Sequence, residues 1–143
     1  MASLIEELIN VLDKECVTYE ELNEVSLEKT QAIISNDLST LESVNIKEQE
    51  VVDKIARLDT KRDNLLKEIA TVLNQKEDKI TITKVIELMS RQPEFQKPLM
   101  KLHKRLKESV LQVKGTNEHN RDMLENVLEM TEISINLLQS INQ

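Results

Sequence analysis

The chain has 143 residues, a formal net charge of −7, one glycine, two prolines and two aromatic residues, Tyr19 and Phe95. So few turn-forming and aromatic residues argue against a sheet protein, and the many Leu, Ile, Lys, Glu and Gln residues predict an all-α fold. The negative charge argues against general nucleic-acid binding, which needs a basic surface. No window approaches the roughly 18 to 20 apolar residues of a membrane span, so no membrane insertion is expected.

The length suits a single helical domain, residues 1–143, with a small hydrophobic core. The first seven residues lack a basic segment and an uninterrupted apolar run, so no signal peptide is expected. The lone Cys16 cannot form an internal disulfide. A cytoplasmic location is therefore the simplest interpretation.

The first predicted helix covers residues 3–35. Its apolar residues follow a heptad from Ile5 to Ile33, which Glu15, Ser26 and Lys29 interrupt. The polar residues 35–37 favour a turn and supply a cap for the next helix.

The second predicted helix, residues 37–75, has the most regular heptad in the chain, from Leu41 to Val72. Glu48 and Arg62 break its apolar seam. Because an unpaired buried charge is costly, each is expected to reach the edge of the bundle or to meet an opposite charge.

A polar connection follows at residues 75–79, and then a short helix at residues 83–91 with Thr81 or Thr83 as its cap. Residues 80–83 alternate as a strand would, but the chain offers no second strand to pair with them. Pro93 and Pro98 each lack a backbone donor, so the segment between them is not expected to be uninterrupted helix. The last helix is expected to start at one of these prolines, and residues 98–142 are predicted for it.

The last helix divides into a basic and an acidic half. Its first half, together with Lys97 just before it, carries six cations against Glu108 and is expected to pair with the first helix, because residues 1–28 hold eight carboxylates and only Lys14. Gly115 and the polar residues up to Asn120 have low helix propensity, so the helix is expected to bend, fray or be rebuilt on binding there.

The acidic half has more apolar residues than one packing face requires. Its seam continues through Met123, Val127 and Met130, and Leu124 and Leu128 widen it. Such a helix is either buried deeply in a bundle or offers its surplus to a partner, and the spacing allows both.

Three long helices joined by short or moderate connections alternate in direction. The predicted fold is an all-α, elongated antiparallel bundle of three long helices plus one short helix, with coiled-coil-like packing.

The usual catalytic and metal-binding patterns are missing. His103 and His119 are sixteen residues apart, outside any His-Glu-x-x-His or Glu-x-x-His motif, and one glycine cannot build a phosphate-binding loop. No enzyme activity, metal or cofactor is expected.

Three segments carry a resemblance to a known family. They are a polar step that ends in leucine (ISNDLSTL, residues 34–41), a Leu-x-x-x-Arg-x-x-Leu-Leu pattern with a preceding lysine (residues 47–66), and an Asn-rich step before the last apolar helix (NEHNRDML, residues 117–124). This arrangement resembles the FlgN family of flagellar export chaperones over almost the whole chain.

The resemblance implies a cytoplasmic chaperone without enzyme activity. It would bind the terminal helical segments of flagellar hook-associated proteins, keep them unassembled and help deliver them to the type III export apparatus, whose components are further candidate partners. The family's C-terminal helical region captures the client, which places the expected partner-binding surface on the apolar residues of the acidic half: Met123, Leu124, Val127, Leu128, Met130, Ile133, Leu137, Leu138 and Ile141. One apolar row is expected to pack on the bundle while a second faces the client.

A second hypothesis remains open from the heptads. The chain could be a structural coiled-coil scaffold or adaptor subunit that self-associates through them, whereas a monomer or weak homodimer is expected for the chaperone.

Overall fold

The protein is built from four helices. A computed structural model describes residues 2–76 and 80–141, with only the backbone of residue 141. Within those residues there is no strand, and the helices are α1 (Ala2–Ile34), α2 (Leu38–Val72), the short α3 (Ile82–Leu88) and α4 (Pro93–Ile141). The prediction of an all-α fold with three long helices and one short helix is confirmed.

The first two long helices end at asparagines in a left-handed conformation. Asn36 has φ 55° after α1, and Asn74 has φ 53° after α2. Asparagine tolerates this conformation better than most residues, so each stops a helix that its neighbours could continue. The side chain of Asp37 then caps α2 by accepting a hydrogen bond from the Thr40 amide at 3.1 Å, and residues 35–37 form the expected turn.

The start of α3 matches one of the two predicted caps. The Thr81 hydroxyl accepts a hydrogen bond from the Lys84 amide at 3.1 Å. Residues 80–83, whose alternation resembles that of a strand, therefore lead into a helix. The predicted connection at residues 75–79 falls partly on residues 77–79, which lie outside the described residues.

The last helix starts at one of the two prolines, as predicted, but at Pro93 and not at residue 98, and the expectation that the segment from Pro93 to Pro98 is not uninterrupted helix is wrong. The helix begins at Pro93, because the Gln92 carbonyl accepts hydrogen bonds from the amides of Phe95 and Gln96, both at 3.0 Å. Pro93 occupies the first helical position, where no amide donor is needed. Pro98 is the sixth residue and withholds one backbone hydrogen bond close to the helix end, which does not stop the helix.

From Pro93, α4 runs for 49 residues and is uninterrupted at Gly115. At 1.5 Å per residue it is about 74 Å long. It is therefore far longer than α1 and α2, which have 33 and 35 residues. The predicted end at residue 142 lies outside the described residues.

Along the chain the three long helices alternate in direction, and in space α1 lies between α2 and α4. Residue numbers rise along α1 and fall along α2 in their paired contacts, whereas Cys16 meets Leu102 and Thr30 meets Asn120 in rising order. Helix α1 therefore runs antiparallel to α2 and parallel to α4. It packs closely against both, whereas α2 and α4 approach each other much less closely.

Two apolar clusters fill the space between the helices. The lower core lies where α1 begins, and α2, α3 and α4 all contribute to it; its buried residues are Ile5, Leu8, Leu12, Cys16, Leu66, Ile69, Ala70, Ile80, Val85, Met89, Leu99 and Leu106. The upper core is smaller and consists of Leu22, Val25, Val44, Val51, Ile55 and Val113. Burial raises the pKa of the Cys16 thiol to about 11, so this cysteine is a packed core residue.

Candidate partner-binding site

The charges that interrupt the apolar seams of α1 and α2 pair with each other. Arg62 Nη1 lies 2.9 Å from Glu15 Oε2, and Lys29 Nζ lies 3.2 Å from Glu48 Oε1. The prediction that Glu48 and Arg62 each reach the bundle edge or meet an opposite charge is confirmed. The two pairs are fourteen residues, or two heptads, apart on both helices, so both support one antiparallel register.

Glu15 is fully buried at this contact, whereas Arg62 is partly exposed. Burial raises the pKa of the Glu15 carboxyl to about 8, against the attraction of Arg62, which lowers it. The hairpin formed by α1 and α2 therefore has a titratable group at its interface.

The lower part of α4 is held against α1 by apolar packing and by Arg105. The Arg105 guanidinium forms an ion pair with Glu20 and another with Asp13 at 3.6 Å. The expected pairing of the basic half with α1 is thus present at Arg105. The lysines of that half are exposed.

Higher up, hydrogen bonds replace apolar packing between α1 and α4. Asn120 is buried; its amide donates to the Ser26 carbonyl at 2.8 Å, and its side-chain oxygen accepts from the Thr30 hydroxyl at 2.6 Å. The Ser26 hydroxyl donates to Asn117 Oδ1 at 3.1 Å. The low-propensity residues after Gly115 are therefore the ones that fix α4 to α1 here. We call this group of Ser26, Thr30, Asn117 and Asn120 the polar contact.

The end of the α1–α2 hairpin contacts α4 at Leu124 and Val127. These two side chains, with Ile33, Leu38 and Leu41, line a small cavity of about 50 Å³. Met123 and Leu124 are half-buried at this level. The bundle ends here because α1 and α2 turn back.

Helix α4 continues past this point as the segment 128–141, which we call the extension. Its fourteen residues add about 21 Å of helix, and every described side chain in it is exposed. The exposed fractions reach 64% at Leu128, 69% at Met130 and 60% at Leu137. No other part of the described chain covers these apolar side chains, so the extension has an unpartnered apolar face. Exposed apolar patches of this kind mark interaction sites in soluble proteins.

The predicted partner-binding residues divide between these two places. Met123, Leu124 and Val127 lie at the hairpin end, and the predicted residues that belong to the extension are Leu128, Met130, Ile133, Leu137, Leu138 and Ile141. The side chain of Ile141 lies outside the described residues. The expectation that one apolar row packs on the bundle is wrong beyond Val127, because α1 and α2 end and neither row has a neighbour in the described chain.

Two exposed apolar residues at the hairpin end were not in the predicted site. Ile34 is the last residue of α1 and Leu38 the first of α2, and both are largely exposed. Leu38 lines the same cavity as Val127, which extends the exposed apolar surface from α4 to the turn. Two apolar residues on either side of a polar turn are the signal that sequence reading could have used.

The fold and this surface define a class of protein: an all-α bundle whose longest helix extends beyond its own core with an apolar face. A family model described as FlgN protein matches residues 1–143, and the chain belongs to the FlgN family. The family is one of flagellar export chaperones and not of enzymes, and it acts in flagellum assembly and type III export. The resemblance found in the sequence is thereby confirmed.

No curated protein and no solved structure matches the chain. None of the described helices has an apolar stretch long enough to cross a membrane. Among the described residues, no three or more His, Cys, Asp or Glu side chains are grouped so that they could hold a metal ion.

Proposed function

We propose that this protein is a cytoplasmic chaperone that captures the terminal helical segments of flagellar hook-associated proteins on its extension. It keeps these clients unassembled and brings them to the type III export apparatus. The observation that carries this proposal is the extension itself, a helix with a wide apolar face beyond the end of its own bundle.

The apolar face of the extension continues the side of α4 that packs on α1. Leu106 and Val113 belong to that packed seam, and the same heptad leads on to Val127. A client helix would therefore occupy the position that α1 would hold if it were longer. Its end would meet Leu38 at the hairpin turn, where the exposed surface is also apolar.

The number of exposed side chains is sufficient for useful affinity. Each fully buried Leu, Ile or Met is worth about 1.5 to 3 kcal/mol. Three or four anchors at the upper value, less about 2 kcal/mol for ordering a disordered client, leave about 7 to 10 kcal/mol, which corresponds to dissociation constants from roughly 10 µM down to tens of nanomolar. Affinity in this range allows the client to be released at the export apparatus.

The charge of the extension adds a preference among clients. After Arg121 the described helix holds Asp122, Glu125, Glu129 and Glu132 and no Lys or Arg. A client helix with Lys or Arg beside its apolar stripe would be favoured, because its cations would face Asp122 and Glu129, the two of these carboxylates nearest the apolar face.

The test is co-purification of a hook-associated protein with three forms of the chain. The first is a chain that ends at Val127, and the second carries Met130→Ala, Ile133→Ala and Leu137→Ala. The matched control replaces exposed, uncharged residues on the polar side of the extension, with Asn136→Ala, Gln139→Ala and Ser140→Ala. We expect the first two to lose the client, the control to retain it, and all three to keep the helical circular dichroism of the bundle.

Undiminished client binding by the chain that ends at Val127 would show that the extension is not the capture surface. Loss of the client by the control as well as by the apolar triple variant would point to helix content rather than to the apolar face.

A further inference from the structure

Helix α4 carries a second seam, on the side that faces away from α1. From Lys104 to Ile135, ten residues follow each other at alternating steps of three and four, and all ten are exposed. This spacing is that of the a and d positions in a coiled coil. They begin with Lys104, Lys107, Leu111 and Lys114 and continue in the same steps to Ile135, and we call these ten residues the outer seam. None of them belongs to the lower or the upper core.

The outer seam is complementary to itself when it is reversed. If a second α4 lies antiparallel, with the midpoint between Lys104 and Ile135 as the shared centre, each seam residue faces another seam residue. The facing charges are opposite in every case, in the pairs Lys107 with Glu132, Lys114 with Glu125, and Glu118 with Arg121. Leu111 faces Leu128, and both are exposed leucines.

We propose that a second copy of this chain binds antiparallel along the outer seam and forms a twofold dimer. In an isologous interface each contact occurs twice, so the reversed seam supplies six ion pairs and two leucine pairs. The remaining pair places the aliphatic part of Lys104 against Ile135, which leaves the ammonium group at the edge.

The surroundings of the seam have room for the second helix. A groove of about 620 Å³ separates α2 from α4 beside Lys107 and Leu111, and Leu66 and Val110 contribute to its apolar lining. In the proposed dimer the partner's extension runs along this groove. The acidic extension of one copy thereby meets the basic half of α4 in the other.

The dimer leaves most of the proposed client surface open. Met130 lies two residues after Leu128, about 200° further round the helix. Ile133 and Leu137 share that opposite side, so they remain exposed when Leu128 faces the partner. Self-association through the outer seam and client capture are therefore separate properties of the extension.

Most facing positions are charged, which makes the contact weak and sensitive to salt. The experiment is sedimentation equilibrium of the full-length chain at about 20 mM and about 500 mM NaCl. We expect a monomer–dimer equilibrium whose dissociation constant rises with salt. Lys107→Glu and Glu132→Lys should each raise it on the order of 10-fold at low salt, because each places like charges together twice. The combined variant K107E/E132K should restore the wild-type value.

Lys101→Glu is the matched control, because Lys101 is an exposed lysine of the same helix outside the outer seam. It changes the net charge by the same amount and should leave the dissociation constant within about 2-fold of the wild type. A monomer at all concentrations overturns the proposal. So does a dimer that is indifferent to K107E, or one that K107E/E132K fails to restore while circular dichroism shows an intact fold.

Discussion

The two ends of the molecule are held together by different chemistry. Where α1 begins, the three long helices and α3 share the lower core, in which Leu12, Ile69 and Leu99 are fully buried. Where α1 ends, α4 is attached through the polar contact and then extends beyond the bundle. The attachment of α4 therefore depends mainly on the hydrophobic effect at the lower end and mainly on hydrogen bonds at the upper end.

This difference indicates where the protein can change without unfolding. Apolar burial is worth about 25 cal/mol per Å² and is lost only when the helices separate. A buried hydrogen bond contributes about 1 kcal/mol net, since water offers replacements once the groups are exposed. We therefore expect the upper part of α4 to separate from α1 at a lower cost than the lower part.

The largest expected effect is Leu99→Ala in the lower core. It removes a fully buried side chain that contributes to the packing of all four helices, so the free energy of unfolding should fall by about 3 kcal/mol. Urea denaturation followed by circular dichroism measures this loss. Leu137→Ala is the matched control in the exposed extension and should change the stability by less than about 0.5 kcal/mol. Equal losses for both variants would contradict the comparison.

The second effect concerns pH and Glu15, between the two ends. The pKa of this carboxyl is about 8 in the folded protein and about 4.5 when it is not perturbed. A raised pKa favours the folded state below the unfolded pKa, and this contribution is lost as the pH rises from about 4.5 through 8. Relative to Glu15→Gln, which does not titrate, the wild type should therefore lose on the order of 2 kcal/mol between pH 6 and pH 8.

Urea denaturation of both proteins at several pH values measures that difference, and the common titrations of other groups largely cancel in it. If the difference in the free energy of unfolding between the two proteins stayed constant from pH 5 to pH 9, the pKa of the Glu15 carboxyl would not change on unfolding, and the prediction would be wrong.

The third effect tests the polar contact directly. Asn120→Ala removes the amide that binds the Ser26 carbonyl and the oxygen that binds the Thr30 hydroxyl, at a cost of about 1 to 2 kcal/mol. Hydrogen exchange should accelerate in the upper part of α4 and remain unchanged around Leu99. Asn126→Ala, an exposed asparagine outside this contact, is the control. Uniform acceleration along α4 would mean that the two ends are not independent.

Heptad spacing was sufficient to predict the three long helices and the role of Arg62 and Glu48, because both depend on which residues share a helix face. It failed at Pro98, because a proline near a helix start removes only one backbone hydrogen bond. The remaining hydrogen bonds of this 49-residue helix outweigh that loss. It also could not show that the apolar rows after Val127 lack a neighbour. That depends on the relative lengths of α1 and α4 once they are aligned, which no local pattern contains.

The smallest expected effect is Gly115→Ala, just below the polar contact. A Cβ atom added at this position has no neighbouring atom within 4 Å, so alanine fits without displacement. Replacement of a helical glycine by alanine stabilises a helix by roughly 0.5 to 1 kcal/mol, because glycine loses more backbone freedom on folding. Hydrogen exchange should slow near residue 115, and the thermal midpoint should rise slightly. If client affinity rises with it, ordering of the upper helix is part of the binding cost; if affinity falls while stability rises, α4 must bend at Gly115 to take up the client.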